Sequence, residues 1–577
     1  MVKKILKSVR EYKKASILTP VCMLGEVLME VIIPILMAKL LDSGIETGNL
    51  NNILSIGVLL VMCAIFSLCF GMLSGRFASI ASNGFAKNLR HDLYYKVQDY
   101  SFKNIDKYST SSIITRLTTD VTNVQNAYQM IIRIAVRAPL MFVFSFLMVF
   151  IINKKISIVF LIVVPILFGL LILIAKIAHP YFEKVFKTYD ELNNVVKENV
   201  GGIRVVKSYV REDYETKKFD KVSNKIYKLF TKAEKIVASN SALMDSAIYT
   251  TILLVSYIGA RSIVNGNLTT GQLASLFTYS MSILTSLMMV SMIYVMIIIS
   301  LPSMKRVVEL LDENPDIKDS DKVIDIIPNG SIEFKNVDFS YNNDKKKLAL
   351  NNINIKIKSG ETIGIIGSTG SGKSTLVNLI PRLYDPTSGE VLVGGKNVKD
   401  YSLYALRNEV SMVLQKNVLF SGTIRDNLCW GDAKASDEEI NKACDLACAT
   451  EFISKFENGL DYYIEQGATN VSGGQKQRLA IARALLKKPK IIIFDDSTSA
   501  CDTMTDAKIR NNLKTFMPDV TKLIIAQRIS SVEDADKVIV IDEGKIVDFD
   551  TPEHLMKTSK IYKEINDSQK KGVTLNE

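Results

Sequence analysis

The sequence predicts an α-helical transmembrane domain of six helices with long cytoplasmic extensions, followed by a cytosolic α/β domain. Three observations predict this arrangement. Six apolar segments within roughly the first 300 residues are each long enough to cross a bilayer, which takes about 20 residues. From about residue 301, short β-rich runs, glycine turns and amphipathic helices replace them. The hydrophobic fraction, 48% of 577 residues, is high for a soluble protein and fits a chain that is partly embedded in a membrane.

The membrane domain is predicted over residues 1–310. Its spans cover about 16–41, 53–75, 134–152, 156–178, 245–265 and 271–300. The polar spacers after the second and fourth spans are rich in Lys and Arg: 76–116 holds seven and 184–235 holds thirteen. Because positive residues stay on the cytoplasmic side, we expect a multi-pass protein of the cytoplasmic membrane with its N-terminus, both spacers and the α/β domain in the cytoplasm.

The same spacers account for most of the net charge of +11. A basic protein of this kind could also bind nucleic acid, but no basic module interleaved with aromatic residues is present in the sequence. We therefore expect a lipid bilayer, and no nucleic acid, as a partner.

A glycine-rich loop predicts a nucleotide site in the second half of the chain. "GSTGSGKST" follows the apolar strand "ETIGIIG" and precedes the helical run "TLVNLI". This is the phosphate loop GxxxxGK[ST] in its strand–loop–helix context, in which backbone N–H groups surround phosphate oxygens. Lys373 is expected on the β- and γ-phosphates, and Ser374 on Mg²⁺. The predicted ATP-binding residues of this loop are Gly367, Ser368, Thr369, Gly370, Ser371, Gly372, Lys373, Ser374 and Thr375.

A second stretch, "IIIFDD", supplies an acid to the same site. Its four apolar residues predict a buried strand that ends at Asp495. A carboxylate at this position would hold Mg²⁺ beside Ser374. ATP and Mg²⁺ are therefore the predicted cofactors, and the second domain is predicted to be an α/β P-loop nucleotide-binding domain.

The run "VSGGQKQRLAIARAL", residues 471–485, resembles the signature of ATP-binding cassette ATPases, usually written LSGGQ, with Val in place of Leu. Its serine and glycines precede a helix, so backbone amides and a helix N-terminus can hold a γ-phosphate. The resemblance implies that these residues grip the ATP of the opposite subunit. They are Ser472, Gly473, Gly474 and Gln475.

Further segments resemble the same family in the family's order. Tyr341, in "FSY", resembles the aromatic residue that stacks on adenine, and Gln415, in "MVLQKN", resembles the glutamine that senses Mg²⁺ and the membrane domain. "STSACD", residues 497–502, matches the loop after the magnesium aspartate, and "LIIAQR", residues 523–528, occupies the segment of the switch histidine. The Mg²⁺ ligands implied by the resemblance are Ser374, Gln415 and Asp495.

The membrane half resembles the exporters of this family, in which six helices are fused ahead of one cassette. Residues 114–125 and 201–213 resemble their two intracellular coupling segments, and we place a linker at 311–330 and the cassette at 331–577. The resemblance implies half of a dimeric exporter that uses ATP hydrolysis to move a hydrophobic or amphipathic substrate across the cytoplasmic membrane. Drugs, lipids and peptides all fit, and the sequence does not choose among them.

Two residues depart from the pattern of an active cassette. The family usually carries Glu after the magnesium aspartate and His at the switch position, whereas this chain has Asp496 and Gln527. Asp withdraws the carboxylate by roughly 1.5 Å, and a misplacement of about 1 Å can cost about 10²-fold in rate. Gln cannot carry a positive charge to the transition state. The two changes predict a site that binds ATP and hydrolyses it slowly.

The two departures also predict an unequal pair of subunits. In a head-to-tail dimer each site combines one chain's phosphate loop with the other chain's signature, so a homodimer would have two impaired sites. We expect a heterodimer resembling multidrug-type bacterial exporters with one degenerate site, in which a homologous half-transporter carries Glu and His at the equivalent positions. A slow homodimeric exporter, and a nucleotide-gated membrane regulator or sensor that does not pump, remain open as alternatives.

Ionisable residues lie inside two of the predicted spans. Glu26 and Glu30 are one helical turn apart in the first span, and Arg133 and Arg137 have the same spacing near the cytoplasmic end of the third. Ionisable groups at membrane depth usually face a cavity or each other. Two interpretations remain open: a salt-bridge ladder among the four residues, or glutamates that line the substrate cavity and favour cationic amphiphiles.

Overall fold

The computed structural model describes residues 1–342, 344, 347–497 and 501–574. The chain divides into two compact units. The membrane unit consists of Met1–Gln98 and Thr110–Glu313, and the cassette unit consists of Asp99–Ser109 and Asn314–Glu577.

The first ten helices occupy the N-terminal half of the chain. They are α1 Val2–Ile5, α2 Lys13–Leu40, α3 Leu50–Gln98, α4 Phe102–Lys107, α5 Thr110–Thr115, α6 Val121–Ile152, α7 Lys154–Gly201, α8 Ile203–Ser208, α9 Glu212–Val264 and α10 Thr270–Asp312. All except α4 belong to the membrane unit. Six helical stretches in the described residues are long and apolar enough to cross a membrane, and each overlaps one predicted span. The predicted fold class of this half is confirmed.

Local sequence explains where the long helices begin and what they face. The Asn153 side chain accepts hydrogen bonds from the backbone N–H groups of Lys155 and Ile156, at 3.0 and 3.2 Å, and so begins α7 directly after α6. Thr269 and Gln272 form a capping box at the start of α10. Helix α3 exposes a run of apolar side chains, as expected of a lipid-facing surface. They include Leu54, Val58, Val61, Met62, Ile65, Leu68 and Met72.

The segment 114–125, which the sequence suggested as a coupling segment, is joined to α10 inside the membrane unit. It covers the end of α5, a π-helical turn and the start of α6. The fully buried carboxylate of Asp120 accepts from Arg306 Nε at 2.7 Å, and Arg116 Nη1 donates to the carbonyl of Arg306 at 2.8 Å. Buried charges need such partners, so this segment holds the start of α6 and the C-terminal part of α10 together. The second suggested segment, 201–213, contains α8 between α7 and α9.

Two β-sheets build the cassette unit. Its strands are β1 Ile332–Phe339, β2 Leu350–Ile357, β3 Thr362–Gly367, β4 Ser388–Val393, β5 Lys396–Asn397, β6 Val410–Val413, β7 Gly422–Thr423, β8 Tyr463–Ile464, β9 Ile491–Asp495, β10 Thr521–Ile525, β11 Lys537–Asp542 and β12 Lys545–Asp550. The antiparallel sheet has the order β2-β1-β4-β5, and β7 pairs with β8 separately. The larger sheet has the order β12-β11-β3-β10-β9-β6, and all its neighbours are parallel except β11 and β12.

The helices of the cassette pack around these sheets. They are α11 Lys373–Asn378, α12 Leu403–Glu409, α13 Ile424–Leu428, α14 Asp437–Leu446, α15 Thr450–Ile453, α16 Gly473–Leu486, α17 Thr503–Phe516, α18 Pro552–Thr558 and α19 Lys560–Thr574. Every residue of β9 and β10 is buried, as expected of parallel strands covered on both faces. The predicted α/β class is confirmed.

The unit boundaries differ from the domain limits predicted from sequence. Asp99–Ser109 falls in the cassette unit, although the sequence placed it within a membrane domain ending at 310. Asn104 Nδ2 donates to the carbonyl of Asn314 at 3.2 Å, and the Ser101 hydroxyl donates to Asp316. The predicted linker, 311–330, is also largely part of the cassette, since Ile327 is buried in its core. The sequence alone does not reveal that these segments belong to the cassette unit, because short polar segments show no apolar periodicity.

Candidate functional site

The carboxyl ends of four parallel strands place the predicted nucleotide residues at one edge of the larger sheet. Strand β3 ends at the phosphate loop, β9 ends at Asp495, β10 is followed by Gln527 and β6 is followed by Gln415. Ligands of open α/β sheets bind outside this edge. The topology therefore brings together residues that lie up to 160 positions apart in the sequence.

The phosphate loop has the backbone geometry that its glycines predict. Gly372 precedes α11 with φ of 102°, and a Cβ there would lie 2.7 Å from the carbonyl oxygen of Ala349. Lys373 Nζ donates to the carbonyls of Gly367 and Ser368 at 2.9 and 2.7 Å. Burial lowers the pKa of the Lys373 amine below its usual value, and nearby Asp496 and Asp495 oppose that change.

One corner of the loop has the oxygen ligands that Mg²⁺ prefers. Ser374 Oγ donates to Asp495 Oδ1 at 2.8 Å. Burial raises the pKa of the Asp495 carboxyl, and its hydrogen bond from Ser374 opposes the rise. The nearby Lys373 amine offsets part of the cost of burying this carboxylate, and a divalent cation bound through one or two side chains and phosphates would offset more. These two residues fit the predicted metal, and Gln415 lies at the same sheet edge.

Asp496, directly after the predicted magnesium ligand, is held by two amide side chains. Its Oδ2 accepts from Gln527 Nε2 at 2.7 Å and from Gln415 Nε2 at 3.3 Å. Its backbone N–H donates to the carbonyl of Ile525 at 3.1 Å, and its φ is 48°, in the left-handed region. Strained backbone of this kind persists where the surroundings fix it, commonly at functional sites. The structure therefore joins the two residues that depart from the family pattern in one hydrogen bond.

The residue expected to stack on adenine, Tyr341, belongs to an aromatic cluster. Tyr341 keeps 42% of its surface exposed, so its ring is open to a stacking partner, and its hydroxyl shares a hydrogen bond of 3.0 Å with Thr375 Oγ1. Phe339 and Tyr384 support the ring edge-on, with centroid distances of 4.8 and 5.2 Å. Tyr384 had no sequence signal of its own, and its hydroxyl donates to Asp106 of α4 at 2.5 Å.

The signature residues form a well-defined helix start. The Ser472 hydroxyl accepts from the Gln475 N–H at 3.3 Å, and Gln475 Oε1 accepts from the Ser472 N–H at 2.8 Å, which makes a capping box. Gly473 and Gly474 form the first turn of α16, a helix of 14 residues. Val471 stands where the family signature usually has Leu. It is buried, so this difference lies in the core and not at the helix start.

The loop after the magnesium aspartate is described only in part. Residues 498–500 lie outside the described residues, so the structure gives no account of the middle of "STSACD". Asp502, its acid, accepts from the Thr505 N–H at 2.9 Å and begins α17 as an N-cap.

Three of the four ionisable residues predicted inside the first and third spans form a cluster around one arginine. Arg137 Nη1 donates to Glu26 Oε1 at 2.7 Å, and Arg137 Nη2 donates to Glu30 Oε1 at 2.7 Å. Arg133 makes no ion pair within the residues that the structure describes, and its guanidinium lies 3.9 Å from the Cβ position of Gly75. The ladder of four residues is therefore reduced to a clamp of three, because the side chain of Arg133 lies one turn away and faces α3.

Comparison with known proteins identifies the family. Two family models match the chain: "ABC transporter transmembrane region" over residues 16–288 and "ABC transporter" over residues 350–499. The "Uncharacterized ABC transporter ATP-binding protein YfiB" of Bacillus subtilis is 35% identical over 568 residues, which is 98% of each chain. The chain belongs to the ABC transporter family. Another relative of this ABC transporter is the "ATP-dependent lipid A-core flippase" of Desulfotalea psychrophila, 31% identical over 477 residues, 82% of this chain and 83% of that one.

A solved structure supports the same assignment at the level of fold. "Structure of a bacterial Atm1-family ABC exporter with ATP bound" matches with a TM-score of 0.83 at 22% identity, covering 96% of this chain and 98% of that chain. This ABC transporter thus has the fold of that exporter, with a six-span membrane domain fused to one ATP-binding cassette domain.

Proposed function

We propose that this half-transporter is the subunit of a heterodimeric exporter whose own phosphate-loop site binds ATP but hydrolyses it slowly. The observation that supports this most directly is the environment of Asp496, whose Oδ2 accepts from Gln527 at 2.7 Å and from Gln415 at 3.3 Å. A general base must reach the proton that it removes, within about 2.6–3.2 Å or through one water. The carboxylate is one methylene shorter than that of Glu, and neutral amides hold one of its two oxygens.

The remaining residues of the site are suited to ATP binding. Backbone N–H groups of the phosphate loop and the Lys373 amine would hold the phosphates, and Tyr341 would stack on adenine. Ser374 and Asp495, with Gln415 at the sheet edge, would hold Mg²⁺, which when bound neutralises charge on the β- and γ-phosphates. Gln527 can donate a hydrogen bond to a γ-phosphate, but it brings no positive charge. This arrangement of residues favours ATP binding over ATP hydrolysis.

The signature of this chain supports a competent role in the opposite site. Ser472 caps α16 and leaves the N-terminus of a 14-residue helix available to a phosphate. In a head-to-tail dimer this helix would serve the ATP bound by the partner's phosphate loop. A partner with Glu and His at the equivalent positions would then hydrolyse ATP at that site, and the pair would need only one fast site.

The membrane half supports a location and a class of substrate. The basic segments 76–116 and 184–235 favour an orientation with the N-terminus and the cassette in the cytoplasm. We propose a hydrophobic or amphipathic substrate, and the name of the Desulfotalea psychrophila relative adds weight to a lipid. The clamp of Arg137 with Glu26 and Glu30 has a net charge of −1 when all three groups are ionised, which would favour a cationic headgroup.

The ATPase activity of the full chain alone tests this proposal. We expect the purified chain in lipid nanodiscs to bind Mg-ATP saturably and to hydrolyse it at least about 10²-fold more slowly than the typical enzyme rate of about 10 s⁻¹. Lys373→Ala, which removes the phosphate-contacting amine, is the control for contaminating ATPases. Turnover near about 10 s⁻¹ that disappears in Lys373→Ala would contradict an impaired site.

A further inference from the structure

The C-terminal helix contacts the segment that carries the switch residue. This switch segment, residues 527–529, follows β10 and directs Gln527 toward Asp496. Gln569 of α19 binds it at two points. Its Nε2 donates to the carbonyl of Gln527 at 2.7 Å, and its Oε1 accepts from the backbone N–H of Ile529 at 3.0 Å. One side-chain amide thus satisfies a backbone acceptor and a backbone donor two residues apart.

The switch segment lies between two regularly bonded stretches of backbone. On its N-terminal side, the Ala526 N–H donates to the carbonyl of Ile365 in β3 at 3.2 Å. On its C-terminal side, the Val532 N–H donates to the carbonyl of Ile529 at 2.9 Å within a 3-10 turn. At Gln527 the backbone belongs to neither a strand nor a helix. The two bonds from Gln569 therefore fix backbone that secondary structure leaves adjustable.

Helix α19 is itself anchored firmly enough to hold the segment. The Tyr562 ring is 1% exposed and belongs to the same hydrophobic core as Leu555 of α18, and Ile565 packs against that core. The Tyr562 N–H donates to Ser559 Oγ at 3.3 Å at the start of the helix. Gln569 extends from this anchored surface and is half-buried against the switch segment.

We propose that Gln569 is a positioning residue of the nucleotide site, which sets the backbone of the switch segment so that Gln527 reaches Asp496 and, in the ATP-bound site, the γ-phosphate. The C-terminal helix thereby controls how strongly the site prefers ATP to ADP. The γ-phosphate contact rests on the proposed function of Gln527. The two bonds that hold the switch segment do not depend on it.

Nucleotide affinity of the full chain tests the proposal, because only ATP has a γ-phosphate. We expect Gln569→Ala to weaken Mg-ATP binding by about fivefold, the effect of about one net hydrogen bond, and to leave Mg-ADP binding unchanged. Gln569→Glu keeps the acceptor for Ile529 but loses the donor to Gln527, and we expect the same selective loss. The matched control is Asp567→Ala, which removes an exposed polar side chain of the same helix and should change neither affinity.

Hydrogen exchange at the Ile529 amide separates positioning from general loss of stability. Its exchange should accelerate in Gln569→Ala and remain close to the unmodified chain in Gln569→Glu and Asp567→Ala. Equal weakening of ATP and ADP, or an unchanged Ile529 exchange rate in Gln569→Ala, would overturn the inference. Fast ATP hydrolysis by the unmodified chain would refute the proposed function. The ATP and ADP affinities and the Ile529 exchange rate would still decide whether Gln569 positions the switch segment. If Gln569→Ala does not fold, Gln569→Glu provides the ATP–ADP comparison.

Discussion

If the phosphate-loop site of this chain is slow, as we propose, introducing the two family residues should make it fast. The perturbation is the double substitution Asp496→Glu with Gln527→His in the full chain. Glu extends the carboxylate past the position where Asp496 Oδ2 now accepts from Gln527 and Gln415, and His can contribute a positive charge. Both changes act on the one hydrogen bond that joins these side chains, so the double variant is more informative than either single variant.

The magnitude follows from the length of the side chain. One methylene is roughly 1.5 Å, and correcting a displacement of about 1 Å is worth about 10²-fold in rate. A new charged donor at the γ-phosphate adds up to about 10²–10³-fold, but residues that act as a unit are not additive. We therefore expect a gain in turnover between about 10²-fold and 10³-fold for the double variant. Asp496→Glu alone should gain less, because Gln527 can still hold the longer carboxylate.

The assay is phosphate release by the full chain in nanodiscs at saturating Mg-ATP, with ATP affinity measured in parallel. The double variant with Lys373→Ala added is the background control. A change of less than about twofold, with ATP affinity retained, would show that neither side chain limits the rate of hydrolysis.

Three further outcomes follow from the structure. Arg137→Ala should destabilise the membrane unit by roughly 3 kcal/mol, because it leaves Glu26 and Glu30 without their counter-ion, whereas Arg133→Ala should have little effect in a thermal-unfolding assay in detergent. Asp495→Asn should raise the melting temperature of the nucleotide-free cassette at pH 7.5, and the gain should shrink toward pH 4. Burial raises the folded-state pKa of Asp495, so protonation at low pH removes the cost of its charge in the unmodified chain. A gain in melting temperature that does not depend on pH would contradict this. Ser472→Ala should cost about 1 kcal/mol of cassette stability through loss of the α16 cap. It should also reduce ATP hydrolysis by the assembled pair without weakening ATP binding to this chain. Weakened ATP binding to this chain alone would contradict a role of Ser472 in the opposite site.

Local motifs predicted the backbone elements of the candidate nucleotide site, because glycine, apolar and serine residues favour particular backbone contexts. The phosphate loop, the strand that ends at Asp495 and the capped start of α16 all lie where glycine, apolar and serine patterns placed them. The parallel sheet then brings these separate motifs to one edge. The six membrane spans could also be predicted from sequence, since each must be long and apolar enough to cross a bilayer.

Contacts between distant polar residues could not be predicted in this way. Helix α4 has no apolar periodicity, yet it groups with the cassette through Asn104 and Ser101. Arg133 and Arg137 have the same spacing as the two glutamates, but only Arg137 reaches them, since rotation of α6 decides which side chain faces α2. Gln569 lies 42 positions from Gln527 and carries no motif. Such pairings depend on packing that a single sequence does not reveal.

The composition of the gently solubilised complex tests the central claim of unequal subunits most directly. Native mass spectrometry of the tagged full chain, purified from its own membranes, measures the mass of each subunit. We expect one copy of this chain with one copy of a second half-transporter of similar size, whose sequence carries Glu and His at the positions equivalent to Asp496 and Gln527. A complex of two copies of this chain that hydrolyses ATP at about 10 s⁻¹ would contradict it.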